Sequence, residues 1–215
     1  MIHPDTELRF IDGDVGYGVF ATQPIPRGTI VWTLCRFDRV LTRDEVSALP
    51  PAYQNVLARY AYVDREARYV LCWDFGRYVN HSCEPSMLGL GPDLEIVVRD
   101  VKPGDHLTCE YAALNLTSRM ACHCGAPTCR RVVGRDDVLR EWPEWDALVA
   151  ATLPLVSQVS QPLAPFVSDP HRLADWIHGR LPAPSHREYL ALDDAATGVI
   201  DQRRPWSLRA RAGAL

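Results

Sequence analysis

Cys122, Cys124 and Cys129 form a C-x-C-x4-C cluster, one thiolate short of a closed metal site. A structural zinc takes four ligands, usually thiolate or imidazole. In extended chain, residues i and i+2 point to the same side. Cys122 and Cys124 can therefore grip one ion, and Gly125 and Pro127 turn the chain so that Cys129 returns to it. His123 points the other way and reads as a surface histidine. The best candidate for the fourth ligand is Cys83, in Arg77-Tyr78-Val79-Asn80-His81-Ser82-Cys83-Glu84-Pro85. That closure would tie two distant segments together and would assemble a site as well as stabilise a fold.

The other cysteines favour metal over disulfides. Seven is an odd number, and a clustered set in a reducing compartment is a metal signal. Cys35 and Cys72 read as small buried hydrophobes in strands. The 215 residues, 47% of them hydrophobic, suffice for one ordinary domain with an extension. A net charge of −4 gives no basic face of the kind nucleic acid needs. No apolar run approaches the roughly 18 residues of a membrane span, and the N-terminus lacks a signal-peptide layout. The expectation is a soluble intracellular protein without direct nucleic-acid or membrane binding.

Short strands are expected at residues 8–12 and 15–21 around a glycine turn, and at 29–34 after the Pro24–Gly28 turn. A helical insert follows at about 41–68: Thr42 and Glu45 form a capping box, and a second helix covers Tyr53 to Ala61. Strand returns at Tyr69 to Trp73. Met87–Leu90 and Leu94–Arg99 form a hairpin, and a turn at 101–105 leads into His106–Tyr111. Beyond residue 134, Leu139, Trp142, Trp145, Leu148 and Val149 recur at helical spacing, with Pro154 expected to break the helix. Another helix is expected at His171–Leu181, and the arginine-rich end from Gln202 is expected to fray.

Several weak signals gain weight from their order. Gly16-Tyr17-Gly18 alone satisfies backbone geometry at a turn, Asn80-His81-Ser82 alone is a polar turn, and Tyr111 alone is a core or interface tyrosine. Followed in order by Leu107-Thr108-Cys109-Glu110-Tyr111 and then C-x-C-x4-C, they resemble the SET-domain family of protein lysine methyltransferases with its post-SET zinc segment. The resemblance covers roughly residues 8–134. It implies a mostly β fold with some helix: small curved sheets around a C-terminal pseudoknot, a post-SET zinc knuckle and a helical C-terminal extension. The corresponding boundaries are 1–118, 119–134 and 135–215.

By the same resemblance, Gly16, Tyr17, Gly18, Arg77, Asn80 and His81 would contact S-adenosylmethionine. Tyr111 would be the catalytic tyrosine, and Cys83, Cys122, Cys124 and Cys129 would hold one structural Zn2+. Cys109 and Tyr69 would line the substrate channel, with Tyr60 and Tyr62 as further candidates beside a core-packing alternative for all three tyrosines. The implied activity is methyl transfer to a lysine ε-amine of a protein, a histone or another basic protein. The competing expectation is a catalytically weak SET-like zinc module that binds a partner or cofactor. The location would be cytoplasmic if bacterial, with export to a host as a variant, and nuclear or cytoplasmic if eukaryotic.

The chemistry explains the residue types. In-line methyl transfer gains mainly from alignment, and carbonyl and hydroxyl oxygens can hold the polarised methyl. The nucleophile is a neutral amine, whereas lysine's reference pKa is about 10.4; an apolar channel beside a cation lowers it. Four positions depart from the family pattern: Tyr17 for tryptophan, Ser86 for asparagine, Glu110 for aspartate and Arg131 for glycine. A fifth, Cys109, replaces the usual phenylalanine or tyrosine and leaves room for higher methylation states. Of 23 basic residues only Lys102 is lysine, leaving 22 arginines. GC-rich coding is the favoured reading of that bias, self-protection of a lysine-modifying enzyme the sharper one.

Overall fold

The computed structural model describes residues 1–191; the arginine-rich end from Gln202 lies outside the described residues. Strands β1 (Thr6–Asp12) and β2 (Gly16–Ala21) form an antiparallel hairpin. Asp12 shapes its turn by accepting the N–H groups of Asp14 and Val15 at 2.9 and 2.7 Å. Strand β3 (Ile30–Thr33) is wholly buried.

The insert then folds as a unit of its own. Strand β4 (Arg39–Leu41) leads to α1 (Arg43–Ala48), whose capping box is present as expected: the Glu45 N–H reaches Thr42 Oγ1 at 3.3 Å and the Thr42 N–H reaches Glu45 Oε2 at 2.7 Å. Helix α2 (Pro51–Tyr60) starts two residues before the expected Tyr53, because proline's fixed φ suits the first helical turn. Strands β5 (Ala61–Val63) and β6 (Tyr69–Leu71) complete a sheet in the order β4-β6-β5. β5 escaped the sequence reading because no glycine or proline separates it from α2.

Strand β7 (Asn80–His81) is followed by β8 (Met87–Gly89) and β9 (Leu94–Val97), and β3, β9 and β8 make the central sheet. Strand β10 (Thr108–Cys109) pairs in parallel with β7. Strands β11 (Met120–Ala121) and β12 (Val132–Val133) pair antiparallel and bracket the cysteine loop. Helices α3 (Val138–Val156) and α4 (Pro170–Ile177) close the described chain. The expected mostly β architecture of small sheets with helices is observed.

Helix α3 passes Pro154 by two residues instead of breaking there. A proline removes one backbone donor. The carbonyls released are those of Ala150 and, from Pro143, Leu139; both residues are exposed to water.

The central sheet has a core on each face. On one, Ile30, Leu88, Leu94 and Ile96 meet Trp145, Val149 and Leu153 of α3 and Trp176 of α4. On the other, Val31, Trp32, Met87 and Val97 meet Val19, Leu107 and Cys109. Residues 135–191 are therefore built into the same core as the strands. Gly28, at φ +96°, marks the closest approach: a Cβ there would sit 2.9 Å from the Leu155 carbonyl carbon. Gln161 sews the same place, accepting the Ile30 N–H at 2.8 Å and donating to Gly28 O at 2.9 Å.

Candidate active site

The parallel pair β7–β10 joins two motifs far apart in sequence, with Thr108 beside Asn80 and Cys109 beside His81. Hydrogen bonds extend the seam: Ser82 N–H to Cys109 O at 3.1 Å and Ser86 N–H to Thr108 O at 3.0 Å. Ser86, buried, adds its hydroxyl, which accepts the Thr108 N–H at 2.9 Å. A serine thus still locks the turn where the family usually carries asparagine.

Tyr111 begins a 3-10 turn just after this seam. Glu110 caps that turn, its Oε1 accepting the Ala112 N–H at 2.9 Å. The Tyr111 hydroxyl donates to Val79 O at 2.8 Å, and its backbone N–H donates to His81 Nδ1 at 3.2 Å. The tyrosine is thereby fixed at both ends against residues 79–81. Burial raises the phenol far above its ordinary pKa, and the buried Cys109 thiol beside it adds to the effect. It stays protonated, as a positioning hydroxyl rather than a base.

His81 is held neutral. Burial and then the Arg130 guanidinium lower its pKa to about 4. Because Nδ1 accepts from Tyr111, the ring proton sits on Nε2, which faces Cys83 Sγ at 3.4 Å. Arg130 gathers the remaining charges: Nη2 donates to Glu110 Oε2 at 2.6 Å, Nε lies 3.4 Å from Cys83 Sγ, and Nη1 lies 3.4 Å from Asp137 Oδ2. Burial raises the Glu110 pKa while Arg130 pulls it back. Arg130 was absent from the sequence expectations. A single arginine beside a cysteine cluster carries no motif, so only the fold discloses it.

Asn80 links the seam to the glycine turn: its Nδ2 donates to Tyr17 O at 2.9 Å and lies 3.3 Å from His106 Nε2. Gly16 adopts φ +84°, and a Cβ on Gly18 would come within 2.6 Å of His106 Nε2 and 3.0 Å of Asn80 Nδ2. A side chain at Gly18 would therefore push aside the ends of His106, Ile11 and Asn80. Tyr17 and Tyr78 meet edge to face with centroids 6.0 Å apart. Arg77 lies over Tyr78 and donates to Trp73 O at 3.1 Å.

The four predicted metal ligands converge. The sulfurs of Cys83, Cys122, Cys124 and Cys129 all lie within 4.8 Å of one another, with Cys83–Cys122 at 3.9 Å and Cys129–Cys122 at 3.7 Å. Four thiolates about 2.3 Å from one tetrahedral zinc would be separated by about 3.8 Å, so the donor set fits the ion. Backbone N–H groups support the sulfurs: Cys83 N–H to Cys124 Sγ and Arg130 N–H to Cys83 Sγ, both at 3.4 Å. Burial pushes the Cys124 thiol up, but backbone hydrogen bonds from Cys83 and Ala126 outweigh it and bring the pKa to about 6. His123 is exposed, as expected.

Beside Tyr111 opens a cavity of about 1030 Å³ whose wall includes Cys109, Tyr111, Tyr62, Trp32, Arg77 and Glu95. Gly16, Tyr17, Gly18, Asn80 and His81 lie outside that wall. Tyr69 does not line it either, which corrects the expectation of a channel residue. It is 1% exposed, packed with Val46, Leu57 and Val63 in the core of the insert. Alternation along β5 and β6 explains the exchange: Tyr62 pairs with Val70, and Tyr69 pairs with Val63 on the core side. The sequence reading also missed Glu95 and His186 in the wall. An acid inside the apolar run Leu94-Glu95-Ile96-Val97-Val98 was the available signal for Glu95.

Comparison with known proteins agrees with this geometry. Residues 16–112 match the family model described as SET domain. Histone-lysine N-methyltransferase ash1 of Drosophila melanogaster is 30% identical over 143 residues, covering 59% of this chain and 6% of that protein. Histone-lysine N-methyltransferase ATX2 of Arabidopsis thaliana is 26% identical over 156 residues, covering 60% and 14%. The chain therefore spans a small part of the length of these curated relatives. Among solved structures, the methyltransferase domain of human histone-lysine N-methyltransferase SETMAR superposes with a TM-score of 0.43 at 22% identity, covering 62% of this chain and 58% of that one. The seam that joins Asn80-His81 to Cys109-Glu110-Tyr111 lies inside the segment that matches the SET domain.

Proposed function

We propose that this protein transfers a methyl group from S-adenosylmethionine to the ε-amine of a lysine in a protein substrate. The observation that carries the reading is the β7–β10 seam, which puts Tyr111 in the wall of a cavity of about 1030 Å³ and beside the Asn80-His81 segment. The residues divide the work. Gly16–Gly18 and Asn80 form a close-packed backbone corner suited to a nucleoside amino acid, with Arg77 at its edge. The Tyr111 hydroxyl and the Val79 carbonyl present oxygens to a polarised methyl. Tyr62, Trp32 and Cys109 offer the apolar walls that favour a neutral amine. Cys109 in place of a larger aromatic leaves space for an amine that already carries methyl groups.

Cys83, Cys122, Cys124 and Cys129 would hold Zn2+ as a structural clasp, keeping residues 122–134 against the Asn80–Ser82 segment. The substrate class is a histone or another basic protein, in keeping with the protein's net charge of −4 and with the relatives' names. Calorimetry with S-adenosylmethionine on the zinc-loaded protein is the first test, followed by transfer of labelled methyl to mixed core histones. Binding and transfer are the expected results. Failure to bind the cofactor would remove the enzyme reading, and binding without transfer to any lysine-containing protein would leave a cofactor-binding module.

A further inference from the structure

We propose that Glu95 is the group that receives the substrate's cationic amine and takes its proton, an inference that rests on the methyltransferase reading above. Glu95 sits at the middle of β9, between Trp32 of β3 and Gly89 of β8. Leu94 and Ile96 point into the core under α3, so Glu95 points the opposite way, into the cavity that Tyr111 lines. At Gly89 a Cβ would stand 3.8 Å from Gly91 O and from His186 Nε2.

Its surroundings are unusual for an acid. Among the described residues its carboxylate has no hydrogen-bond or ion-pair partner. The titratable groups that feel its charge are Tyr62 of β5, Cys72 after β6, Cys109 of β10 and Tyr111 of the 3-10 turn. None of them is a cation. Arg59, Arg65, Arg77, Arg119 and His186 also line the cavity, but none of them is an ion-pair partner of Glu95, and burial is the only cause of its shift; Arg59 acts on Tyr111. Glu95 is ringed by protein yet partly open to the cavity. A buried carboxylate is strongly disfavoured unless it is neutralised or paired. Burial alone raises the Glu95 pKa to about 7, which leaves the group able to hold or release a proton near neutrality.

A lysine side chain entering this cavity supplies the missing cation. Its ammonium pairs with the carboxylate, and one N–H bond then breaks as an O–H bond forms on Glu95, leaving a neutral amine and a carboxylic acid. The amine's lone pair forms the new N–CH3 bond while the C–S bond of S-adenosylmethionine breaks, its electron pair going to sulfur. The product ammonium carries the methyl and its two remaining protons. Glu95 returns its proton to water in the cavity. No further reactant is needed.

The test compares wild type with Glu95→Gln, both zinc-loaded, from pH 6 to pH 10, using labelled S-adenosylmethionine and mixed core histones. Wild-type kcat/KM should rise through about pH 7 and level off, because Glu95 collects the ammonium form. The variant must wait for free amine, so its kcat/KM should climb about tenfold per pH unit toward lysine's own pKa. Its deficit at pH 7.5 should exceed tenfold and close by pH 10. Parallel profiles would overturn the role of Glu95 while leaving the methyltransferase reading intact.

A second measurement separates the two ideas: binding of n-butylammonium chloride in the presence of S-adenosylhomocysteine. Affinity that falls at least tenfold in Glu95→Gln supports the cation site even if no histone is methylated. Equal affinity in both proteins overturns it.

Discussion

At the scale of single residues, the site combines one fixed hydroxyl with several positions where the backbone dictates the residue. Tyr111→Phe keeps the ring but removes the hydroxyl bonded to Val79 O. Turnover should fall about a hundredfold or more while S-adenosylmethionine affinity changes little; comparable activity in the variant would refute the role given to Tyr111. Arg131 adopts φ +66°, the left-handed region, and its carbonyl accepts the Cys122 N–H at 2.8 Å. That conformation explains the family's preference for glycine here. Arg131→Gly should stabilise the fold by about 1 kcal/mol, measured by urea denaturation of the zinc-loaded protein. These residues differ in how visible they were. Tyr111 and the four cysteines stood in ordered motifs. Arg130 and His186 became visible only once strands 80–81 and 108–109 were paired and residues 185–191 laid beside them, because their roles depend on neighbours distant in sequence.

At the scale of elements, the short strands β7 and β10 are too brief to hold by themselves, each having two residues. They are held by what flanks them: the Ser86 hydroxyl on one side and the cysteine cluster on the other. Arg130 carries that support from Cys83 to Glu110, the cap of the Tyr111 turn. If the four cysteines hold Zn2+ as proposed, removing it would free four thiolates, and the loop between β11 and β12 would lose its internal staple. Chelation should therefore abolish cofactor binding and methyl transfer at a chelator dose that leaves far-ultraviolet circular dichroism nearly unchanged. Simultaneous loss of both signals would mean that the cluster supports the whole fold. Periodicity disclosed the helices and the long hairpins well. It could not disclose β7 and β10, since two-residue strands have no measurable alternation.

At the scale of the whole molecule, the described part of the C-terminal extension is the second wall of the central core. Trp145 is 4% exposed and packs within the cluster shared by Ile30, Leu88 and Ile96. Trp145→Ala should cost about 3–5 kcal/mol, a far larger loss than a detachable tail would show in equilibrium unfolding. Asn115 works at the same scale: at φ +53° it donates to Val63 O at 3.0 Å and Tyr189 O at 2.9 Å, and it accepts the Ala191 N–H at 2.9 Å. One side chain thus joins the insert, the tyrosine turn and the end of the described chain. The amphipathic spacing of α3 announced a buried face, but nothing in the sequence named its partner.

The seating of Leu155 over Gly28 also orders events in time. During synthesis, the turn that carries Gly28 and the strand β3 after it leave the ribosome long before Leu155 does, so the apolar face of the central sheet waits uncovered until α3 emerges. Nascent chains halted before residue 156 should bind trigger-type chaperones and resist compaction, whereas chains released after Gln161 should bury that face without help.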